Sequence, residues 1–345
     1  MVPLHADIVG NDLTLIYVGA RIGLEHGWSH VYDLGLQHQL FAQLRPHQVF
    51  HTGEWFISPP VYAWLILPII GLGPAADTII WLGVLVVALV AAWWIAAPGT
   101  AIARGLWLLG ALAWYPLLYS IALVQPVLIL MVIVAVAWML TENKRPYLAG
   151  VVLGLSVLKP QLALILPLVL LAAGRWRIAV AFAAVAATLA VISLIAIGPQ
   201  GLSDYRSLLD MEQQVPNNRY FTLAYPLGPG VLSYAAAALV VVIAAAAAFL
   251  NRHKSNARVF ALGLLATALS ATYWHLQDFA ILILAAWLFW REGPPAWQRW
   301  LLLFIAIAGE FAWPLTPLPL LVGVTVWFAC VALPRRVVTS ETATA

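Results

Sequence analysis

Lys159 stands between two strongly apolar runs, in Gly154-Leu155-Ser156-Val157-Leu158-Lys159-Pro160-Gln161. An ammonium group in such a setting is costly at membrane depth, and residues of this kind usually serve function. Pro160 breaks a helix at that point, and Gln161 adds a second polar group. Two other joints have the same character: Gln125-Pro126 and His275-Leu276-Gln277-Asp278. His275 and Asp278 are three apart, so on one helical turn they share a face. A cation, an imidazole and a carboxylate are the groups that hold anions and move protons. The three joints are therefore candidates for lining one cavity.

Other chemical patterns are thinner. His26/His30 and His47/His51 are spaced i,i+4, which on a helix could hold a metal, but the spacing also fits interfacial histidines on an amphipathic surface. No HExxH, Walker A or GxGxxG pattern occurs. The single cysteine, Cys330, lies in an apolar run and excludes an internal disulfide or a Cys-based metal site. No metal and no cofactor is expected. Gly19/Gly23 and Gly150/Gly154 match small-xxx-small spacing and predict helix packing. Glu310 lies in a late helix beside Trp313-Pro314, with no assigned role.

These residues must be positioned by an apolar scaffold. Of 345 residues, 63% are hydrophobic and 9% are charged. A soluble domain is about 25% charged, so composition excludes a soluble globule. It also excludes disorder, coiled coil and collagen. The 17 Trp suit a membrane–water interface. Apolar runs predict helices at 77–97, 105–121, 126–141, 147–158, 161–173, 178–198, 226–250, 259–273, 278–290, 300–313 and 318–333. The expectation is an all-α polytopic integral membrane protein with about 10–12 transmembrane or membrane-embedded helices. Several pieces are too short for the ~30 Å hydrocarbon layer. Their polar joints must sit below the membrane surface, where irregular backbone is tolerated only inside protein or along a wet cavity.

Charge gives the orientation. Arg104, Lys144/Arg145, Arg175/Arg177, Arg252/Lys254/Arg258, Arg291/Arg299 and Arg335/Arg336 place 12 of 17 Lys and Arg on one side. That side reads as cytoplasmic by the positive-inside rule. The other side takes residues 1–55, the loop 199–225 and the polar joints. The pattern requires Lys159-Pro160-Gln161 to be an outer turn and the run 58–72 to be re-entrant. Residues 1–55, with six of the eight histidines, read as an outer loop with short amphipathic helices, and residues 56–345 as the multi-helix domain. No signal peptide or helix precedes residues 1–55, so the expectation is either that the following helices translocate them or that a first helix lies upstream of Met1.

In order, the chain shows Asp12 followed by a tyrosine and Ala20-Arg21, then Gly27 and Val31-Tyr32-Asp33. Phe56-Ile57-Ser58-Pro59-Pro60 comes next, then Gln125 and Gly154-Leu155-xxx-Leu158-Lys159-Pro160-Gln161 with Arg175-Trp176-Arg177. His275-Leu276-Gln277-Asp278 closes the series. This order resembles glycosyltransferase family 87, the polyprenyl-phosphate-mannose-dependent mannosyltransferases of the GT-C fold, to about residue 290. Two departures stand out. The family's first helix before the aspartate is absent, and its Gly-Gln-Asn-like motif is reduced to Val124-Gln125-Pro126.

The resemblance implies an outward-facing cavity in the cell membrane. It implies a polyprenyl-phosphate sugar donor, mannose or a related hexose, and a lipid or glycan acceptor, with no nucleic acid as partner. It implies a general-base role for Asp12, a donor-phosphate role for Lys159 and His275, and a substrate-binding place for Tyr17 and Gln125. Residue chemistry fits this. Glycosyl transfer from a phosphate ester needs one base for the acceptor hydroxyl and no paired acid, because phosphate leaves as a stable anion. The leaving charge needs fixed donors. Arg219 supplies a further cation, with Gln161 and Asn217 as neutral donors, and Asp278 is a second carboxylate near the reacting carbon. The rival reading is a secondary transporter or flippase, which also uses broken helices near mid-membrane. Against it, the two halves show no corresponding broken helices and no internal repeat.

Overall fold

The computed structural model describes residues 11–47, 49, 53 and 55–333. His51 and the Arg335/Arg336 pair lie outside the described residues. Among those described, the secondary structure is helical, with no strand. The helices are α1 (Asn11–Glu25), α2 (Leu34–Leu44), α3 (Pro60–Trp64), α4 (Pro74–Ala96), α5 (Ala101–Leu112), α6 (Tyr115–Ala122), α7 (Val127–Glu142), α8 (Pro146–Gly154), α9 (Pro160–Ala163) and α10 (Ile165–Ala172). They continue as α11 (Trp176–Glu212), α12 (Ala224–Leu227), α13 (Val231–Leu250), α14 (Asn256–Ser270), α15 (Ile281–Trp290), α16 (Ala296–Phe311) and α17 (Leu318–Ala332).

Proline in the first turn starts α3, α4, α8 and α9, where its missing N–H costs no helical bond. Elsewhere side chains cap: Asp33 accepts from Leu36 N at 3.0 Å, and Ser255 from Arg258 N at 3.2 Å. Three helices, α4, α11 and α13, are long and apolar enough to cross a membrane, and six shorter apolar helices accompany them. Only 17% of the most apolar window of α11 is buried. Its outer face, with Val87 of α4 and Leu250 of α13, exposes apolar side chains that water does not favour.

Most predicted helices fall within a few residues of the observed ones, with three differences. The run 105–121 is not one helix: α5 and α6 are bent by 66°. Trp114 at the bend donates to Ala306 O at 3.2 Å and fits only because residue 309 is glycine, where a Cβ would lie 2.2 Å from its indole nitrogen. Glu310 then accepts from Tyr115 N at 2.8 Å, which gives that glutamate a place as the cap of α6. Second, the helix expected to end at 198 kinks at Gly198, with φ 60°, and continues to Glu212. Third, the run 58–72 forms one helical turn, α3, then turns and a 3₁₀ segment, Ile70–Leu72. No helix there is long enough to cross.

The basic connections meet at one end. Arg175 donates to Arg252 O at 2.6 Å and Lys254 O at 3.1 Å. Arg291 donates to Ala96 O at 3.0 Å, and Arg258 to Val331 O at 3.0 Å. Arg104 stacks 4.8 Å over Trp94. The opposite helix ends hold Gln125, Lys159, Asn217, Thr272 and Trp313, which line one cavity. Among the described residues, these basic connections and the cavity lining thus lie at opposite ends of the helices.

The two glycine pairs differ. A Cβ on Gly150 would lie 2.3 Å from Ile178 O, and one on Gly154 would lie 2.5 Å from Val185 Cβ, so α8 presses directly on α11. Gly19 and Gly23 instead make room for the rings of Phe56 and Trp28. Helix-to-helix packing therefore explains the first pair and not the second.

Candidate active site

The cavity has a volume of about 920 Å³ and is walled by four separated parts of the chain. The first wall is α1 with residues 55–59. α1 is buried along most of its length, with Leu13, Ile16, Tyr17, Val18, Ala20 and Ile22 inside. Asp12 lies in its first turn and faces the cavity. It is a residue of the helix itself and so not the N-cap, though an acidic group there also suits the helix dipole. Its charge reaches Tyr62, Tyr119 and Tyr273. The segment 55–59 is held by Gln37, fully buried, which accepts from Phe56 N at 2.7 Å and donates to Phe56 O at 3.1 Å. Tyr32 donates to Ser58 O at 2.9 Å. The Val31-Tyr32-Asp33 and Phe56–Pro60 stretches are therefore bonded to each other.

The second wall is the end of α6. Val124 adopts φ 59°, a left-handed conformation that costs a β-branched residue about 1–2 kcal/mol. Gln125 N donates to Ser120 O at 2.9 Å and Val124 N to Ile121 O at 3.0 Å, which closes the helix in the way glycine usually does. That turn aims Gln125 into the cavity. The third wall is the break between α8 and α9. Lys159 there donates to Gln125 Oε1 at 3.0 Å and forms an ion pair with Asp278. An ammonium has three N–H donors. Two are engaged, and Lys159 still lines the cavity. Because Gln125 accepts through its oxygen, its amide nitrogen is the remaining polar face.

The fourth wall joins the 3₁₀ turn Pro216–Arg219 to the segment before α15. His275 Nε2 lies 3.0 Å from Asn218 Oδ1, and Asn218 Nδ2 donates to Glu212 Oε1 at 2.9 Å. Asp278 Oδ2 accepts from His275 N at 3.2 Å.

The structure brings Asp12, Gln125, Lys159, Gln161, Asn217, Arg219 and His275 to this one cavity. Two expected residues stand outside its lining. Asp278 is fully buried behind Lys159. Tyr17 is buried with its hydroxyl turned away, donating to Ile70 O at 3.3 Å, so it offers the cavity nothing. His26 closes α1 while His30 sits in the 3₁₀ turn Trp28–His30; both are exposed and share no helix. Sequence reasoning missed Glu212, Asn218, Trp55, Tyr62 and Tyr273, all of which line the cavity. Trp55 and Tyr273 border the Glu212 carboxylate, but neither closes a full hydrogen bond to its Oε2.

The family model of glycosyltransferase family 87 matches residues 56–272, more than half of the chain. The chain belongs to glycosyltransferase family 87. No curated protein and no solved structure matches it. The matched span holds the Gln125, Lys159 and Glu212–Arg219 walls of this family 87 cavity. Asp12 precedes the span, while His275 and Asp278 follow it. The cavity is lined by residues within the matched span and on both sides of it.

Proposed function

We propose that the protein is a GT-C-type enzyme of the cell membrane. It transfers a hexose, mannose or a related sugar, from a polyprenyl-phosphate donor to a hydroxyl of a lipid or glycan acceptor. The observation that carries this is the Lys159–Gln125 pair and Asp12 on the wall of one cavity. A phosphate ester at the Lys159 end meets the third ammonium N–H and the Gln125 amide, with Arg219, Gln161 and Asn217 within the same lining. These are fixed donors for charge that grows on the leaving oxygen. The acceptor hydroxyl attacks the anomeric carbon, the bond from that carbon to the phosphate oxygen breaks, and the hydroxyl proton passes to Asp12. Polyprenyl phosphate leaves as the anion. The backbone N–H of His275 meets one oxygen of the Asp278 carboxylate, whose other oxygen pairs with Lys159.

The basic end is read as cytoplasmic by the positive-inside rule, which places the cavity on the extracytoplasmic face. Nucleotide sugars are not available there, whereas a lipid-anchored donor arrives through the membrane. The test incubates membranes holding the protein with labelled polyprenyl-phosphate sugars. The expected result is a labelled lipid or glycan product that Lys159→Ala membranes do not make. Label remaining wholly in the donor across such sugars and endogenous acceptors would overturn the reading.

A further inference from the structure

Asn218 is buried, and its amide is held on both sides. Nδ2 lies 3.0 Å from the Glu212 carbonyl oxygen and 2.9 Å from Glu212 Oε1. A backbone carbonyl only accepts, and so does a carboxylate. The nitrogen of Asn218 must therefore face Glu212, and the oxygen must face His275. An amide oxygen also only accepts, so the hydrogen of the His275 contact sits on Nε2. A neutral imidazole carries one N–H. Its Nδ1 is then a lone pair, in line with Gln277 Nε2 at 3.4 Å.

We propose that Asn218 is a positioning residue for His275: oriented by the carbonyl and carboxylate of Glu212, its amide oxygen holds the imidazole in the Nε2–H form and keeps that N–H away from the substrate. This rests on the transferase reading for its consequence, not for its geometry. In this form neutral His275 offers no N–H to a donor phosphate. Lys159, Gln125 and Arg219 supply the donors, and His275 adds no hydrogen bond to the phosphate, its backbone N–H holding the Asp278 carboxylate beside Lys159. The bonds run from Glu212 through Asn218 and His275 to Asp278 and Lys159, so the helix end that carries Glu212 is tied to the ammonium.

Asn218→Leu breaks the logic with little change of shape. Leucine offers the ring no acceptor, so His275 is free to adopt the other tautomer. Glu212→Gln is the control, because the backbone carbonyl at position 212 remains and still holds the Asn218 nitrogen. The protein, labelled with 15N-histidine and held in nanodiscs, is examined by long-range 1H–15N NMR, with His275→Gln assigning the signal. The wild type should show the Nε2–H tautomer alone. Asn218→Leu should show both, with kcat down on the order of tenfold and donor KM little changed. Glu212→Gln should keep the single tautomer. A wild-type Nδ1–H tautomer overturns the proposal without any variant, and so does an Asn218→Leu spectrum identical to wild type. Wild-type protein inactive on every lipid-phosphate sugar would count against the transferase reading, while the tautomer result would stand by itself.

Discussion

The Lys159 ammonium is ion-paired with Asp278, a carboxylate with no solvent exposure that lies 119 residues further along the chain. Taking two charges out of water costs several kcal/mol each, and mutual attraction offsets this only while both partners remain. Removing one partner leaves the other charged and alone. We expect Lys159→Met to lower stability by about 3–5 kcal/mol. Lys159→Met with Asp278→Leu should regain most of that loss yet stay inactive, because the donor facing the cavity is gone. Thermal unfolding in detergent across the single and double variants measures the coupling. A double variant no more stable than Lys159→Met would show that the pair does not hold the break between α8 and α9.

The contact of α8 with α11 leaves no room for a methyl group at Gly150, where a Cβ would lie 2.3 Å from the backbone oxygen of Ile178. Backbone cannot swing aside as a flexible side chain can. Gly150→Ala should cost about 1–3 kcal/mol by overpacking. Gly23→Ala meets only the Trp28 ring, so its cost depends on how far that ring can shift. A lower unfolding temperature for Gly150→Ala measures the first effect, and an unchanged one would mean that α8 and α11 can part without loss.

If the basic end is cytoplasmic, the ends of the bundle are chemically distinguishable from outside the cell. Ser207 is exposed beyond the kink at Gly198, and His253 is exposed in the basic connection after α13. In a Cys330→Ala background, Ser207→Cys should react with an impermeant thiol reagent on intact cells, and His253→Cys should react only after lysis. The reverse pattern would turn the cavity toward the cytoplasm and remove the argument for a lipid-anchored donor.

The three polar joints were legible because a charge or amide between apolar runs is expensive, and expense in sequence is a signal. Lys159 met Gln125 and Asp278, residues that sequence grouped with it from two other joints. Glu212 and Asn218 gave no such signal. They lie in a stretch already rich in polar groups, and only the fold buries them, at 7% and 6% exposure. Trp55, Tyr62 and Tyr273 were hidden among many aromatics for the same reason. The bend at Trp114 was illegible because its cause, Gly309, lies in α16, far along the chain. At Gly198-Pro199 the sequence predicts a helix end, since local sequence marks a break but not whether helix resumes after it. Tyr17 shows the converse: its place in a family-like order suggested substrate, whereas packing turned its hydroxyl to Ile70.

Asp12 is the residue on which the chemistry turns. It occupies the first turn of α1, so one bland role is to favour the helix dipole, worth about 0.3–1 kcal/mol at a helix N-terminus. Asp12→Asn removes the charge and leaves the shape. A carboxylate that merely suits the dipole would then cost little stability and little activity. A general base cannot be replaced in this way, because an amide takes up no proton near neutral pH. Its loss typically costs roughly 10²–10⁴-fold in rate. Lys159→Ala should act differently, weakening donor binding as well as turnover, since the ammonium meets the phosphate before and during transfer. The measurement is kcat and donor KM for Asp12→Asn, with the unfolding temperature recorded on the same preparation. We expect kcat to fall by at least about a hundredfold, with donor KM and unfolding temperature close to wild type. Turnover within about threefold of wild type would remove Asp12 from the mechanism. Glu212 would then be the remaining described carboxylate in the cavity lining to take its place.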